Sequence, residues 1–152
     1  MCRITSTLLL AFGVFAVACS TSGYSVDVRG AFAPPGPDLV DQLKAIAKRN
    51  EFTAIQDGRE SAACAGEFVS EYWKALSDAP HDRIIIAMFV SDSEKCGKHV
   101  NVTIYHELRG MQEPVKSQIE SLGNEFYEAL STSGGAARVT VERTPLKLGF
   151  RI

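Results

Sequence analysis

Three histidines are the residues whose type best suits acid–base or metal chemistry: His81, His99 and His106. His81 lies in a polar stretch typical of a turn, which favours a solvated loop residue. His99 and His106 bracket a run that alternates between apolar and polar residues, and their separation of seven positions puts them on opposite faces of a regular strand. Because one metal ion could not take both side chains as ligands, we expect no metal site here.

Nucleophilic and acid–base motifs are also missing from the sequence. It contains neither a Gly-x-Ser-x-Gly motif nor a phosphate-binding loop, and Ser131 and Ser133 beside Gly134-Gly135 are typical of a helix end. Several carboxylates lie near predicted turns, namely Glu67, Glu71, Asp78, Asp82, Asp92 and Glu94. A solvated rim is the more usual role of such residues than a catalytic pair. We therefore expect no catalytic residue and no cofactor.

The start of the chain has the layout of a secretory signal peptide. Arg3 gives a basic beginning, residues 8–15 form a continuous apolar run, and Ala16-Val17-Ala18 supplies small residues before Cys19. A membrane-spanning helix needs roughly 20 apolar residues, and the apolar stretch from Leu8 to Ala18 has only eleven. A signal peptide over residues 1–18 is therefore favoured over a transmembrane anchor.

Ala16-Val17-Ala18-Cys19 resembles the lipobox of bacterial lipoproteins. The resemblance covers the leader alone. It implies that the Cys19 thiol takes a diacylglyceryl group, that cleavage occurs before it, and that the new N-terminus is acylated, with fatty acids such as palmitate. The residue after Cys19 is Ser20, without the aspartate that retains many such proteins at the inner membrane, so the resemblance implies a periplasm-facing anchor in the outer membrane. Secretion to the periplasm, with Cys19 incidental, is the alternative.

Cys64 and Cys96 are the two cysteines that remain when Cys2 leaves with the leader and Cys19 carries lipid. An even pair in an oxidising compartment favours a disulfide. His99 follows Cys96 by three positions, but a lone Cys-x-x-His without a second pair is a weak metal signal. We expect a disulfide between Cys64 and Cys96.

Composition bounds the remaining possibilities. Cleavage before Cys19 leaves 134 residues with 15 basic and 18 acidic side chains, a length typical of one domain. This balance does not suggest nucleic acid as a partner. We expect a lipid anchor and short tether over residues 19–23 and a single periplasmic domain over residues 24–152.

Alternation of apolar and polar residues predicts the strands. Tyr24, Val26 and Val28 alternate in the first. A short strand at 52–55 ends at the turn signal Gln56-Asp57-Gly58-Arg59, and the next strands cover 83–90 and 99–105, joined as a hairpin across a polar loop at 91–97. The last strand covers 137–143, and alternation at 146–152 could extend the sheet. Residues 68–76 fit a strand or a helix, and their aromatic content favours a strand.

Helical spacing predicts two helices, each with one apolar stripe. The first begins near Pro37-Asp38, with Leu39, Leu43, Ile46 and Ala47 on its stripe. The second begins at Pro114, with Val115, Ile119, Leu122, Phe126, Ala129 and Leu130 on its stripe, and Gly134-Gly135 ends it. The order β-α-β-β-β-β-α-β predicts an α+β two-layer sandwich, in which an antiparallel-rich sheet of about five to six strands carries both helices on one face.

This architecture and the expected location at the outer membrane resemble those of small lipoproteins that help to assemble bacterial outer-membrane components, including the lipopolysaccharide-assembly lipoproteins. The resemblance implies a non-enzymatic role in binding or assembly, with an envelope protein or a glycolipid as partner. Anchored inhibitors or immunity proteins, and periplasmic hydrolases, are the alternatives.

Tyr72-Trp73 is the candidate partner site, because successive residues of a strand point to opposite faces and one ring would lie away from the helices. Packing in the core, or in a cross-strand pair, is nevertheless the more usual role of such rings. The open sheet face and its edge are the expected contact surfaces.

Overall fold

The computed structural model of the protein describes residues 21–32, 37–62, 64–107, 113–132 and 136–148. Its elements follow the predicted order β-α-β-β-β-β-α-β. They are β1 (Thr21–Phe32), α1 (Pro37–Arg49), β2 (Thr53–Glu60), β3 (Glu67–Ala75), β4 (Arg83–Ser93), β5 (Gly97–His106), α2 (Glu113–Thr132) and β6 (Ala136–Leu148).

The six strands form one sheet in the order β2-β3-β4-β5-β1-β6, and every neighbouring pair is antiparallel. Consecutive strands pair along β2 to β5. β1 then inserts between β5 and β6, so the two ends of the described chain lie side by side: Thr21 is in register with Leu148. The expected hairpin of β4 and β5 is confirmed, with Ile86 opposite Ile104.

Both helices cover the same face of the sheet. α1 carries acidic Asp38 in its first turn and Lys48 and Arg49 in its last, which suits the helix dipole. The helices bury their predicted stripes, including Leu43, Ile46, Ile119, Leu122 and Phe126, against alternate strand residues such as Val26, Val28, Tyr72, Ile86, Val102 and Ile104. The α+β sandwich with two helices on one face is therefore confirmed.

α2 packs tightly against β1 at Gly123. A Cβ atom at that position would lie 2.6 Å from Val26 Cγ1, which is inside van der Waals contact. Glu120 ties the same part of α2 to β1 and β6, because Tyr24 donates a hydrogen bond to its Oε1 and Arg143 Nε donates to its Oε2 at 2.7 Å. Glycine at position 123 therefore sets the distance between the two layers.

The strand at 52–55 was predicted too short, because the turn signal does not end it. β2 continues through Asp57-Gly58 to Glu60, and its pairing with β3 shifts register twice. Gly58 has a φ of 69°, a conformation that glycine adopts without strain. The turn residues thus form irregularities within an edge strand, as β-bulges do.

Other strand boundaries also differ from the predictions. β4 extends to Ser93, so the loop expected at 91–97 shortens to a tight turn before Gly97. β6 is one strand to Leu148 that runs through Pro145, which an edge strand tolerates. β1 begins at Thr21, so part of the expected tether is already paired with β6. The predictions for residues 1–18, Cys19, Gly134-Gly135 and residues 149–152 lie outside the described residues.

Cys64 and Cys96 are placed as a disulfide pair, with Cα atoms 6.4 Å apart, a separation within the range such bridges take. Cys64 lies between β2 and β3, and Cys96 lies in the turn between β4 and β5. The bridge thus connects two turns at the same end of the sheet.

Candidate functional site: the open sheet face

The sheet surface opposite the helices, called here the open face, is not covered by any of the described elements. Register places its side chains in rows that run across the strands. One row is Trp73, Ile85, Tyr105, Ser25 and Thr144; the next is Glu71, Ala87, Thr103, Asp27 and Glu142; a third is Val69, Phe89, Asn101, Arg29 and Thr140.

An aromatic row crosses the open face near one end of the strands. Trp73 and Tyr105 flank Ile85, which is 6% exposed although no helix lies above it. The Arg83 guanidinium lies over the Trp73 ring, 5.6 Å from its centroid. Burial raises the pKa of the Tyr105 hydroxyl, with a smaller contribution from the negative charge of Glu71. The row is therefore a partly dehydrated surface with polar groups at its margins.

Val69 and Phe89 form a second apolar pair, side by side on β3 and β4. Both side chains are half-buried, and Ala87 between this pair and the aromatic row is 5% exposed. Sequence reasoning did not single out this pair. The alternation within β3 and β4 was visible, but their mutual register, which makes Val69 and Phe89 neighbours, was not.

Charges of both signs border the apolar residues. Glu71, Asp27 and Arg29 lie in the adjoining rows, and Thr103 donates a hydrogen bond to Asp27 Oδ1 at 2.6 Å. At the disulfide end, His99 Nε2 lies 3.4 Å from Glu67 Oε1. An apolar centre containing Trp, Tyr and Phe with a charged border is the composition typical of protein interfaces.

The two residues of the predicted Tyr72-Trp73 site face opposite layers, as a strand requires. Tyr72 is 1% exposed and lies in the core under the helices, so the prediction that it contacts a partner is wrong. Its ring fills the core next to Ile86 in register. Trp73 is the residue of the pair that lies on the open face.

The histidines bind carboxylates in separate places. His81, with a φ of 64°, places Nδ1 3.0 Å from Glu107, which also accepts a hydrogen bond from Arg83. These partners, Arg83 before His81, hold the pKa of Glu107 below its ordinary value. His106 is buried and lies opposite the core residue Ile84 in register, on the helix side of the sheet, whereas His99 lies on the other face.

Ser77, Asp82 and His106 form a chain of contacts, but not in the order of a nucleophilic triad. Asp82 lies in the middle: its Oδ2 accepts a hydrogen bond from the Ser77 hydroxyl, and its Oδ1 lies 2.9 Å from His106 Nε2. Ser77, then His106, hold the pKa of Asp82 below its ordinary value. Because the serine meets the carboxylate and not the imidazole, the arrangement differs from a Ser-His-Asp triad, in which the imidazole is the base that takes the serine proton. The contacts join the β3–β4 turn to the end of β5.

The described part of the chain offers few side chains that could bind a metal ion together. No group of three His, Cys, Asp or Glu side chains converges there. In the Cys-x-x-His segment, the Cys96 sulfur belongs to the pair with Cys64, and His99 faces Glu67.

Neither described helix is long and apolar enough to cross a membrane.

No protein-family model matches the sequence, and the search of curated proteins found no match.

Proposed function

We propose that this chain is a lipid-anchored protein of the bacterial envelope that binds a partner protein through its open face, without catalysing a reaction. The lipobox-like segment ending at Cys19 supports the anchor. The open face carries the binding part of the proposal. Its apolar centre of Val69, Trp73, Phe89 and Tyr105 is left uncovered by both helices.

The charges around this centre favour a protein over an anionic glycolipid. A surface that binds lipid phosphates needs an excess of Lys and Arg. Here Asp27, Glu67 and Glu71 accompany Arg29 and Arg83, so the border is mixed in sign. Mixed charge around an aromatic centre suits a partner whose own surface combines both signs.

Lipidation of Cys19 is tested by metabolic labelling with a fatty-acid analogue. The wild-type chain should carry the label, and Cys19→Ala should not. Equal labelling of both chains would contradict the anchor.

Binding through the open face is tested with matched charge insertions. Phe89→Glu places a carboxylate in the apolar centre, whereas Tyr127→Glu makes the same change at an exposed aromatic ring of α2, on the other side of the molecule. Crosslinks from whole envelopes should be lost with Phe89→Glu and kept with Tyr127→Glu, while circular dichroism shows both folded. Loss with Tyr127→Glu alone would assign the partner to the helical side.

A further inference from the structure

The two edges of the sheet differ in their readiness to pair with another strand. β2 is irregular, with two register shifts and a positive φ at Gly58, and bulges of this kind protect an edge from pairing. β6 forms the other edge, and its register with β1 is regular from Arg138 to Leu148. Among the described strands none pairs with the outer side of β6.

Glu142 on β6 faces a side chain of like charge and has no positively charged partner among the described residues. Register places it directly opposite Asp27 of β1, and like charges in that position repel each other. No described residue forms an ion pair with Glu142, or with Arg138 on the same face and strand. A positive side chain arriving from beyond the edge would relieve this repulsion.

We propose that β6 pairs antiparallel with β6 of a second copy of this chain, about a two-fold axis through Thr140. In that register Arg138 of each copy lies opposite Glu142 of the other, on the open face. Val139 of each copy lies opposite Val141 of the other, on the helix face, where both valines are half-buried in the single chain. The same patch serves both copies, as a two-fold interface requires.

Other symmetric registers fit the sequence worse. An axis through Glu142 opposes two glutamates, and an axis through Arg138 opposes two arginines. Moving the axis to Val139 or Val141 removes the Arg–Glu pairs. The segment from Ala136 to Thr144, between the start of β6 and Pro145, is also centred on Thr140, and proline cannot donate a hydrogen bond across the new pair.

Thr140→Cys tests the register in the full chain, expressed in a bacterial host and kept in its membranes. Position 140 meets itself at the axis, and opposite residues of antiparallel strands have Cβ atoms about 4.5–5.5 Å apart, close enough for a disulfide after small movements. Mild oxidation should give a linked dimer on a non-reducing gel. The wild-type chain, with its own cysteines, sets the background.

Glu142→Cys is the matched control. In the proposed register the two copies of position 142 lie about 14 Å apart along the strands, at about 3.4 Å per residue, so they should not link to each other. Co-expressed Arg138→Cys and Glu142→Cys chains should link, because those positions face each other. Self-linking of Glu142→Cys as strong as that of Thr140→Cys, or no linked dimer with Thr140→Cys, would overturn the proposal.

A charge reversal tests the ion pairs separately. Arg138→Glu in the Thr140→Cys background should lower the yield of linked dimer on the order of tenfold, since two attractive cross-strand pairs become repulsive. Adding Glu142→Arg restores opposite charges and should restore the yield. Failure to recover would contradict the register. These variants leave Val69, Trp73, Phe89 and Tyr105 unchanged, and the linked dimer contains only copies of this chain, so failure here and failure of the partner proposed above give different results.

Discussion

Two tyrosines on the helix side of the sheet differ in what their hydroxyl groups meet. The Tyr24 hydroxyl donates to Glu120, whereas the Tyr72 hydroxyl is buried without a hydrogen-bond partner among the described residues. Burial raises the pKa of Tyr72, so the group stays neutral. A buried polar group without a partner lowers stability.

The two tyrosines should therefore respond differently to loss of the hydroxyl. We expect Tyr72→Phe to leave the free energy of unfolding unchanged or raise it by up to about 1 kcal/mol, and Tyr24→Phe to lower it by about 1 kcal/mol. Urea unfolding measures both. A loss above about 1 kcal/mol for Tyr72→Phe would show that its hydroxyl has a partner.

Three carboxylates make stability depend on acid pH. The pKa of each lies below its ordinary value, which is 3.8 for an aspartate and 4.5 for a glutamate. The main cause is a hydrogen bond, from Lys44 to Asp57, from Ser77 to Asp82 and from Arg83 to Glu107. A carboxyl group whose pKa is lower in the folded than in the unfolded chain stabilises the folded state at pH values above the unfolded pKa. This stabilisation is lost as the pH falls through the pKa of the folded state.

We expect the free energy of unfolding to fall as the pH is lowered below about 4, when followed by urea titration at a series of pH values. Asp57→Asn, which removes one of the three groups, should make this fall smaller. An unchanged pH profile for that variant would contradict the role of the Lys44–Asp57 contact, 2.7 Å long.

At the residue scale, sequence reasoning located single features but not their contacts. The opposite faces of His99 and His106 followed from strand geometry. The contact of His106 with Asp82 did not, because the two residues are 24 positions apart and meet only through the β4–β5 register. Both Tyr72 and Trp73 were predicted as contact residues because alternation shows only that their side chains point to opposite faces of the sheet. It does not show which of the two faces is covered by the helices.

At the scale of elements, the spacing between α2 and the sheet depends on Gly123 and Val26. Alanine at position 123 would raise helix propensity by about 1 kcal/mol. However, its methyl group would meet Val26 Cγ1 at 2.6 Å, and overpacking of this kind costs about 1–3 kcal/mol. Val26 is fully buried and β-branched, so it has little freedom to move.

Gly123→Ala should therefore lower the free energy of unfolding by about 1 kcal/mol, the overpacking cost less the gain in helix propensity, measured by urea or thermal unfolding. Ser121→Ala, at an exposed position two residues earlier on α2, is the control and should change stability by less than about 0.5 kcal/mol. Equal or higher stability of Gly123→Ala would show that the layers separate without cost.

The disulfide pair connects the β2–β3 and β4–β5 turns across a sequence separation of 32. Mass spectrometry of a non-reduced digest should find the Cys64 and Cys96 peptides joined. Reduction should lower stability by about 2–4 kcal/mol, and a Cys64→Ala/Cys96→Ala double variant should not respond to reductant. Finding both thiols free in protein purified from the envelope would contradict the bridge.

Periodicity predicted both helices and most of the strands, since helices and half-buried strands each repeat their apolar residues at a fixed interval, whereas aromatic content favoured a strand at 68–76. It did not predict that β2 continues past Gly58, because a glycine turn signal and a bulge have the same local composition. Nor did it predict that β1 lies between β5 and β6. Strand order depends on contacts between distant parts of the chain, which local patterns do not contain.

At the scale of the whole molecule, the main feature is the asymmetry of its two layers. Both helices cover one face of the sheet, while the other presents Val69, Trp73, Phe89 and Tyr105 between charges of both signs. The proposed anchor at Cys19 would precede the start of β1 by two residues, and β1 begins beside the end of the edge strand β6. A domain arranged in this way would be held close to a membrane with one aromatic surface left for a partner.

The most direct test of this account is site-specific photo-crosslinking in whole envelopes. A photoreactive phenylalanine derivative replaces Phe89 on the open face in one chain, and Tyr127 on α2 in a matched chain. We expect one discrete crosslinked partner from position 89 and none of that mass from position 127, and Trp73→Glu should remove it. Crosslinking of the same partner from position 127, with none from position 89, would contradict a role for the open face.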